Sequence, residues 1–150
     1  MLKTWKKKKK SNGGGSKKPD LIRKLDRVFS LYIRLRDTMP SGMCKCISCG
    51  RIKPFKDIDA GHFYSRTHMA TRFDPFNVNG ECSYCNRFDE DHLLMYRENL
   101  IRKIGLSNFN YLTMKKSMTK KWDDFELQKL IDYYTAEVRR LSADKGIRVK

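Results

Sequence analysis

The sequence has no apolar run approaching the roughly 20 residues needed to cross a bilayer. It has no acidic residue before Asp20, and only 17 Asp and Glu against 33 Lys and Arg. The first lack argues against a membrane-spanning helix. The second leaves a net charge of +16 and a pI near 9.8. A field of that size attracts phosphate backbones and releases their counterions, so nucleic acid is the expected partner and an anionic membrane surface the rival. The basic start has no apolar segment behind it and does not read as a secretory signal. Cysteines are few and odd in number, five, which fits a reducing cytoplasm better than a disulfide scaffold. Histidines number three, so imidazole chemistry must fall to His62, His68 or His92. At 150 residues one domain with a modest core is expected.

Four of the cysteines stand in two matched pairs, Cys46-Ile47-Ser48-Cys49 and Cys82-Ser83-Tyr84-Cys85. Such pairs supply four thiolates, the full tetrahedral set of a structural Zn²⁺ with no water ligand; the weaker alternative is disulfides or unrelated thiols. The gap of 32 residues between the pairs exceeds the usual spacing of about 15–20. A substantial segment must therefore sit inside the clip, and the residues with chemistry lie there. Cys44 is left over as a thiol with no assigned role.

Residues 1–18 hold eight lysines and no acid, a composition that reads as a disordered arm, either a phosphate tether or a solubilising tail. Over residues 19–36, Leu21, Leu25, Val28, Phe29, Tyr32 and Leu35 recur at helical spacing, with Pro19 near the first turn. The interleaved Arg23, Arg27, Arg34 and Arg36 face either solvent or DNA. Between the cysteine pairs a β-hairpin is expected, with Phe55 to Tyr64 extended and residues 65–79 irregular because Pro75, Asn77, Asn79 and Gly80 act as breakers. A helix is expected from Cys82 to about Ile104. Knuckle, hairpin and helix around one zinc make an α+β fold of the ββα-metal, treble-clef-like kind, with amphipathic helices flanking it. Past Gly105, residues 106–117 read as a short amphipathic element. Trp122 to Leu141 reads as a helix with the stripe Leu127, Leu130, Ile131, Tyr134, Val138 and Leu141, packed on its own domain or forming a homodimer seam. The tail from Ser142 is expected to fray.

If such a chain were to hydrolyse a phosphodiester, the reaction would need a base for water and a cation for the charge building on phosphate. His62, at a strand end inside the clip, is the best base, because neutral imidazole takes a proton near pH 7. His68, in the loop, reads as a substrate contact or an ordinary exposed residue. His92 reads as a helix-surface or metal-support residue.

The order Cys46-Ile-Ser-Cys-Gly50, Asp59-Ala-Gly-His62, Thr71-Arg-Phe73, Cys82-x-x-Cys-Asn86 and Tyr96-Arg-Glu-Asn-Leu-Ile-Arg-Lys-Ile-Gly105 resembles the zinc-stapled HNH (His-Me finger) endonucleases and, more closely, the NinG/Rap recombination endonucleases of lambdoid phages. The similarity covers about residues 44–105, which it implies form the HNH zinc core of a single nuclease domain, 19–150, with 106–150 a helical extension. It implies that Asn86 binds a catalytic cation, Mg²⁺ or Mn²⁺, distinct from the closed zinc, and that Asn77 holds the base by hydrogen-bonding backbone across the loop. Many such enzymes place a second ligand just before the catalytic His, where this chain has Gly61. Asp59, on the same strand face, is expected to reach across that vacancy, with Glu90 in reserve. The alternative for Asp59 is a turn cap, and Glu90 reads equally as a plain exposed carboxylate.

Arg72 is positioned to grip a phosphate oxygen bidentately, with Arg66 and Arg87 as further candidates. Lys115, Lys116, Lys120 and Lys121 form a basic cluster facing flanking duplex arms. Tyr64, Phe73 and Phe76 stack on splayed bases or pack internally. The expected function is a DNA-associated, cytoplasmic, metal-dependent endonuclease acting on branched recombination intermediates such as Holliday junctions and D-loops, the substrate coming from the resemblance alone. The alternative is a noncatalytic zinc-clasped DNA-binding or recombination-mediator protein; an RNA-directed zinc module has less support.

Overall fold

The computed structural model describes residues 17–150. The Lys-rich arm expected over residues 1–18 therefore lies outside the described residues except for Lys17 and Lys18, and Lys18 already opens a helix. That helix, α1, spans Lys18–Asp37 and buries Leu21, Leu25, Phe29, Ile33 and Leu35. A hairpin follows, β1 at Met43–Lys45 against β2 at Ile52–Pro54. After a 3-10 turn at Phe55–Asp57, strand β3 (Ile58–His62) pairs antiparallel with β4 (Val78–Cys82). Ile58 faces Cys82 and His62 faces Val78. Four helices complete the described chain: α2 at Ser83–Arg87, α3 at His92–Ile104, α4 at Leu106–Lys116 and α5 at Asp124–Lys145. The architecture is mixed α+β, as expected.

The main core lies between α1 and α5. Leu25, Phe29 and Ile33 of α1 meet Leu127, Ile131 and Tyr134 of α5, and Ala60, Phe73 and Val78 join the same cluster. The β3–β4 sheet thereby rests on the helix pair through its own side chains. The apolar stripe of α5 is covered by α1, so its use is packing within the chain. Asp123 and Glu126 form a reciprocal capping box that starts α5, satisfying donors the first turn would leave unpaired.

Several expectations are corrected. Asn79 and Gly80, read as breakers, lie inside the fully buried strand β4. The amide of Asn79 is satisfied there, donating to the Phe76 carbonyl and the Tyr96 hydroxyl and accepting from Arg36 and Lys103. Gly80 is needed because a Cβ would sit 2.9 Å from Cys44 Sγ and 3.2 Å from Asp37 Cβ. The single helix expected from Cys82 to Ile104 is two helices, and Cys82 ends β4 instead of opening a helix. At the break the Asp89 carboxylate accepts the Asp91 N–H at 3.1 Å, a local bond that competes with the helical ladder.

Arg36, read as a surface or DNA-facing residue, is instead knotted into the interior. It donates to the Pro75 and Val78 carbonyls and to Asp37, and Asp37 in turn accepts the Gly80 N–H at 2.7 Å. The tail is not frayed: α5 continues to Lys145, whose ammonium donates to the carbonyls of Leu35, Arg36 and Thr38. This cation caps the negative end of α1, and Ile147 and Val149 pack beside it.

Phe29 is edge-on to both Tyr134 (4.9 Å between centroids) and Phe73 (5.9 Å). Phe29→Ala should cost about 3–5 kcal/mol and lower the denaturant midpoint of the chain; an unchanged midpoint would show that the α1–α5 core does not carry the stability.

Candidate active site and metal cluster

The β1–β2 hairpin carries Cys46 and Cys49 at its turn, and the junction of β4 with α2 carries Cys82 and Cys85. Their four sulfurs lie within 4.8 Å of one another, and among the described residues no other group of three or more His, Cys, Asp or Glu donors converges this way. Cys49 Sγ and Cys82 Sγ are 3.8 Å apart, close to the roughly 3.8 Å edge of a tetrahedron with zinc–sulfur bonds of about 2.3 Å. The donor set fits a metal such as zinc. Burial pushes the Cys46 thiol up to about 11 and raises that of Cys85 as well. Burial also acts to raise Cys49, but the Arg51 N–H and neighbouring thiols outweigh it and lower the group. The Cys82 N–H donates to Cys46 Sγ at 3.3 Å, tying the two halves together. Cys44 is buried beside Gly80 and outside the cluster.

His62 ends β3. Its Nε2 lies 3.0 Å from the backbone carbonyl of Arg72. A carbonyl only accepts, so Nε2 carries the proton and Nδ1 of the neutral ring keeps a free lone pair. Burial lowers the His62 pKa below the usual 6.5; the bond to the Arg72 carbonyl opposes this and the Arg66 charge adds to it. The ring is therefore neutral at pH 7. The carbonyl it holds is itself fixed, because the Arg72 guanidinium makes a bidentate pair with Asp26 of α1 at 3.1 and 2.6 Å. Arg72, expected to grip phosphate, is thus occupied in tying the loop to α1.

Asn77, wholly buried, braces the same loop. Its Oδ1 accepts the Tyr64 N–H at 2.8 Å, and its Nδ2 donates to the carbonyls of Tyr64 and Thr71 at 2.9 and 3.0 Å. A buried side chain with three backbone bonds fixes both ends of the loop that follows β3.

His62, Asn86, Arg66 and His92 line one cavity of about 410 Å³. Asn86, in α2, donates to Asp59 Oδ2 at 3.0 Å, and its Oδ1 accepts nothing among the described residues. Asp59 is not free: Arg87 holds both its oxygens at 3.0 Å. Nor does Asp59 fill the space left by Gly61. The side chain of Glu81 does, since a Cβ at residue 61 would overlap its Oε2. Glu81 is fully buried; its Oε1 accepts from Ser48 Oγ at 2.5 Å and lies 2.7 Å from His92 Nδ1, while Oε2 has no partner among the described residues. The carboxylate thereby directs His92 Nδ1 inward and leaves Nε2 as the free nitrogen of a ring that borders the cavity.

Sequence reasoning missed Glu81, and the one available signal was the glycine at 61, which announces that a neighbour occupies its space. Glu90 is exposed and is not among the residues lining the cavities at the site. His68 lies against Tyr64, outside the cavity. Phe73 is core, between Phe29 and Trp122, and Tyr64 packs on Phe63 and donates to or accepts from Thr113. Phe76 remains exposed. Of the lysine cluster, Lys115 pairs with Asp74, Lys120 pairs with Glu126 and lies over Trp122, and Lys116 lies over Tyr64. Lys121 is exposed.

A family model described as Bacteriophage Lambda NinG protein matches residues 2–144. Protein ninG of Salmonella phage P22 is 36% identical over 90 residues, covering 57% of this chain and 40% of that protein. Protein ninG of Escherichia phage 933W is 36% identical over 88 residues, with 56% and 40% covered. For protein ninG of Escherichia phage lambda the figures are 35% over 88 residues, with 56% and 39% covered. The chain spans about two-fifths of the length of these curated relatives. No solved structure matches it significantly.

The sulfur geometry predicts about one zinc per chain by elemental analysis. Cys82→Ser should lose the metal and melt the hairpin–helix junction, because metal binding is folding free energy in such a module, whereas Cys44→Ala should keep a full complement. Full zinc occupancy in Cys82→Ser would remove the four-sulfur assignment.

Proposed function

The chain belongs to the family of the phage lambda NinG protein, and from that premise and the cavity around His62 we propose that it is a metal-dependent DNA endonuclease of the HNH, ββα-metal type. The observation that carries the reading is the bond from His62 Nε2 to the Arg72 carbonyl. It leaves Nδ1 unprotonated on a ring that borders the cavity Asn86 also lines. The succession of β3, β4 and α2 beside a four-sulfur cluster supports the ββα-metal assignment.

In this mechanism His62 Nδ1 takes a proton from water as the water oxygen bonds to phosphorus, and the bond from phosphorus to the 3′ oxygen breaks in line, the departing oxygen taking its proton from solvent water. Strand ends with 5′-phosphate and 3′-hydroxyl result. Asn77 and the Arg72–Asp26 pair hold the imidazole in line by fixing the loop whose carbonyl it engages. Asn86 Oδ1 and, once released from Arg87, Asp59 would hold the divalent cation, Mg²⁺ or Mn²⁺. When bound, that cation supplies the positive charge that stabilises the crowded phosphate and the departing oxygen. Two protein oxygens suit Mg²⁺, which keeps several waters and takes the rest of its shell from substrate phosphate. Arg66, exposed and bordering the same cavity, is the guanidinium placed to meet that phosphate. Branched recombination intermediates are the proposed substrates.

A second reading, a noncatalytic zinc-clasped DNA-binding or recombination-mediator protein, draws on the occupation of Asp59 by Arg87. Incubating the chain with branched, nicked and linear DNA, with and without Mg²⁺ or Mn²⁺, separates the two. Divalent-dependent scission favouring the branched form is the expected outcome, and binding without scission under every condition would leave the second reading standing. His62→Ala should lose cleavage by at least about a hundredfold while keeping zinc and DNA binding. In the unaltered chain the rate should fall as pH drops through a midpoint below 6.5, because protonation removes the base and burial holds its pKa under that value.

A further inference from the structure

Three cavities adjoin one another at this site. The first, with His62, shares Ala60, Arg66 and Asn86 with a second of about 310 Å³. The second shares Ser30, Arg34 and Arg66 with a third of about 380 Å³ that runs along α1 past Arg27. Arg66 borders all three. On α1, Arg27, Ser30 and Arg34 fall at intervals of three and four residues and so form one stripe. We propose that this trough along α1 is a track for the sugar-phosphate backbone of the DNA strand being cut, carrying it from Arg27 past Arg34 and Arg66 to the cavity of His62. The inference rests on the endonuclease reading for the identity of the strand, and adds where the strand lies and how it is held.

Charge, length and lining all favour a backbone. The second and third cavities are bordered by the cations of Arg27, Arg34, Lys56, Arg66 and Arg87. Their only carboxylates, Asp26 and Asp59, are each held by a bidentate guanidinium, from Arg72 and Arg87. They therefore do little to repel a phosphate. Arg27 and Arg34 stand seven residues apart, about 10 Å along the helix, close to three nucleotide rises of about 3.4 Å on one strand. No aromatic ring borders these two cavities, so there is no platform on which bases could stack. Contact through phosphates alone makes holding indifferent to base sequence. Arg34 is anchored as well, donating to the Phe55 carbonyl at 3.0 Å with its guanidinium 4.3 Å over the Phe55 ring. Such a preset guanidinium loses little freedom when it meets an anion.

The test is the salt dependence of binding, read by fluorescence anisotropy on the full zinc-loaded chain with a labelled oligonucleotide and no added Mg²⁺ or Mn²⁺. Arg27→Gln and Arg66→Gln should each flatten the slope of log affinity against log salt by about 0.7–0.9, equally for oligonucleotides of different base composition. Arg27→Lys should restore the slope, and Arg140→Gln, on α5 and paired with Glu137, should leave it unchanged. Slopes unaltered by both glutamine variants would overturn the track, as would losses confined to one base composition. Binding is read without scission, so an inactive chain with flattened slopes would sink the endonuclease reading and keep the track, and an active one with unaltered slopes would do the reverse.

Discussion

The hairpin side of the site rests on four sulfurs held within 4.8 Å of one another. They join a short hairpin to the end of β4, and neither piece could hold its place alone: the hairpin strands are three residues each and α2 is five. Elements this short form few bonds relative to the chain they order. With the sulfurs clustered, Ser48 in the first knuckle reaches the Glu81 carboxylate, and that carboxylate reaches His92. A side chain bordering the cavity is thus oriented from inside the four-cysteine clip. The other histidine is oriented from the opposite side, through a carbonyl that α1 fixes by way of Asp26 and Arg72. Two independent supports converge on one cavity.

The parts of this arrangement with a local signature were legible in the sequence. Cysteine spacing named the cluster, apolar periodicity placed α1, α4 and α5 to within a few residues, and His62 stood at a strand end as expected. What escaped depends on partners distant in the chain. Arg72 looks like a free cation until Asp26, 46 residues earlier, is brought against it. Glu81, between Gly80 and Cys82, carries no local sign of burial, yet it is wholly buried. Asn79 and Gly80 have turn chemistry, and tertiary bonds to Arg36, Tyr96 and Asp37 override it. The break before α3 did have a local cause, the Asp89 side chain, but apolar periodicity does not register it.

The net charge of +16 is also less uniform than composition implies. Among the described residues, Arg36, Arg72 and Lys145 serve the interior, and several lysines read as DNA contacts are paired with Asp or Glu or lie over aromatic rings. Such uses stabilise the fold by modest amounts where exposed; where half-buried, losing one partner would strand the other's charge or polar group away from water. Arg27 and Arg66 are among the exposed cations that keep their field toward solvent, together with Lys45, Arg51, Lys56 and Lys121 on other parts of the described chain. A basic pI is a property of the whole chain; the field a ligand meets belongs to a few side chains left over from folding.

The glycine at 61 and the glutamate at 81 occupy one volume between them. Any larger residue at 61 would have to arrive together with a shorter one at 81, because each single step drives a side chain into a filled space or leaves a buried void. The two positions are therefore epistatic, and a lineage that changed one would pass through a poorly folded intermediate unless the other had already moved. Shortening 81 would also withdraw the group that sets the ring of His92, so the geometry of the cavity and the freedom of the sequence to drift are locked by the same contact.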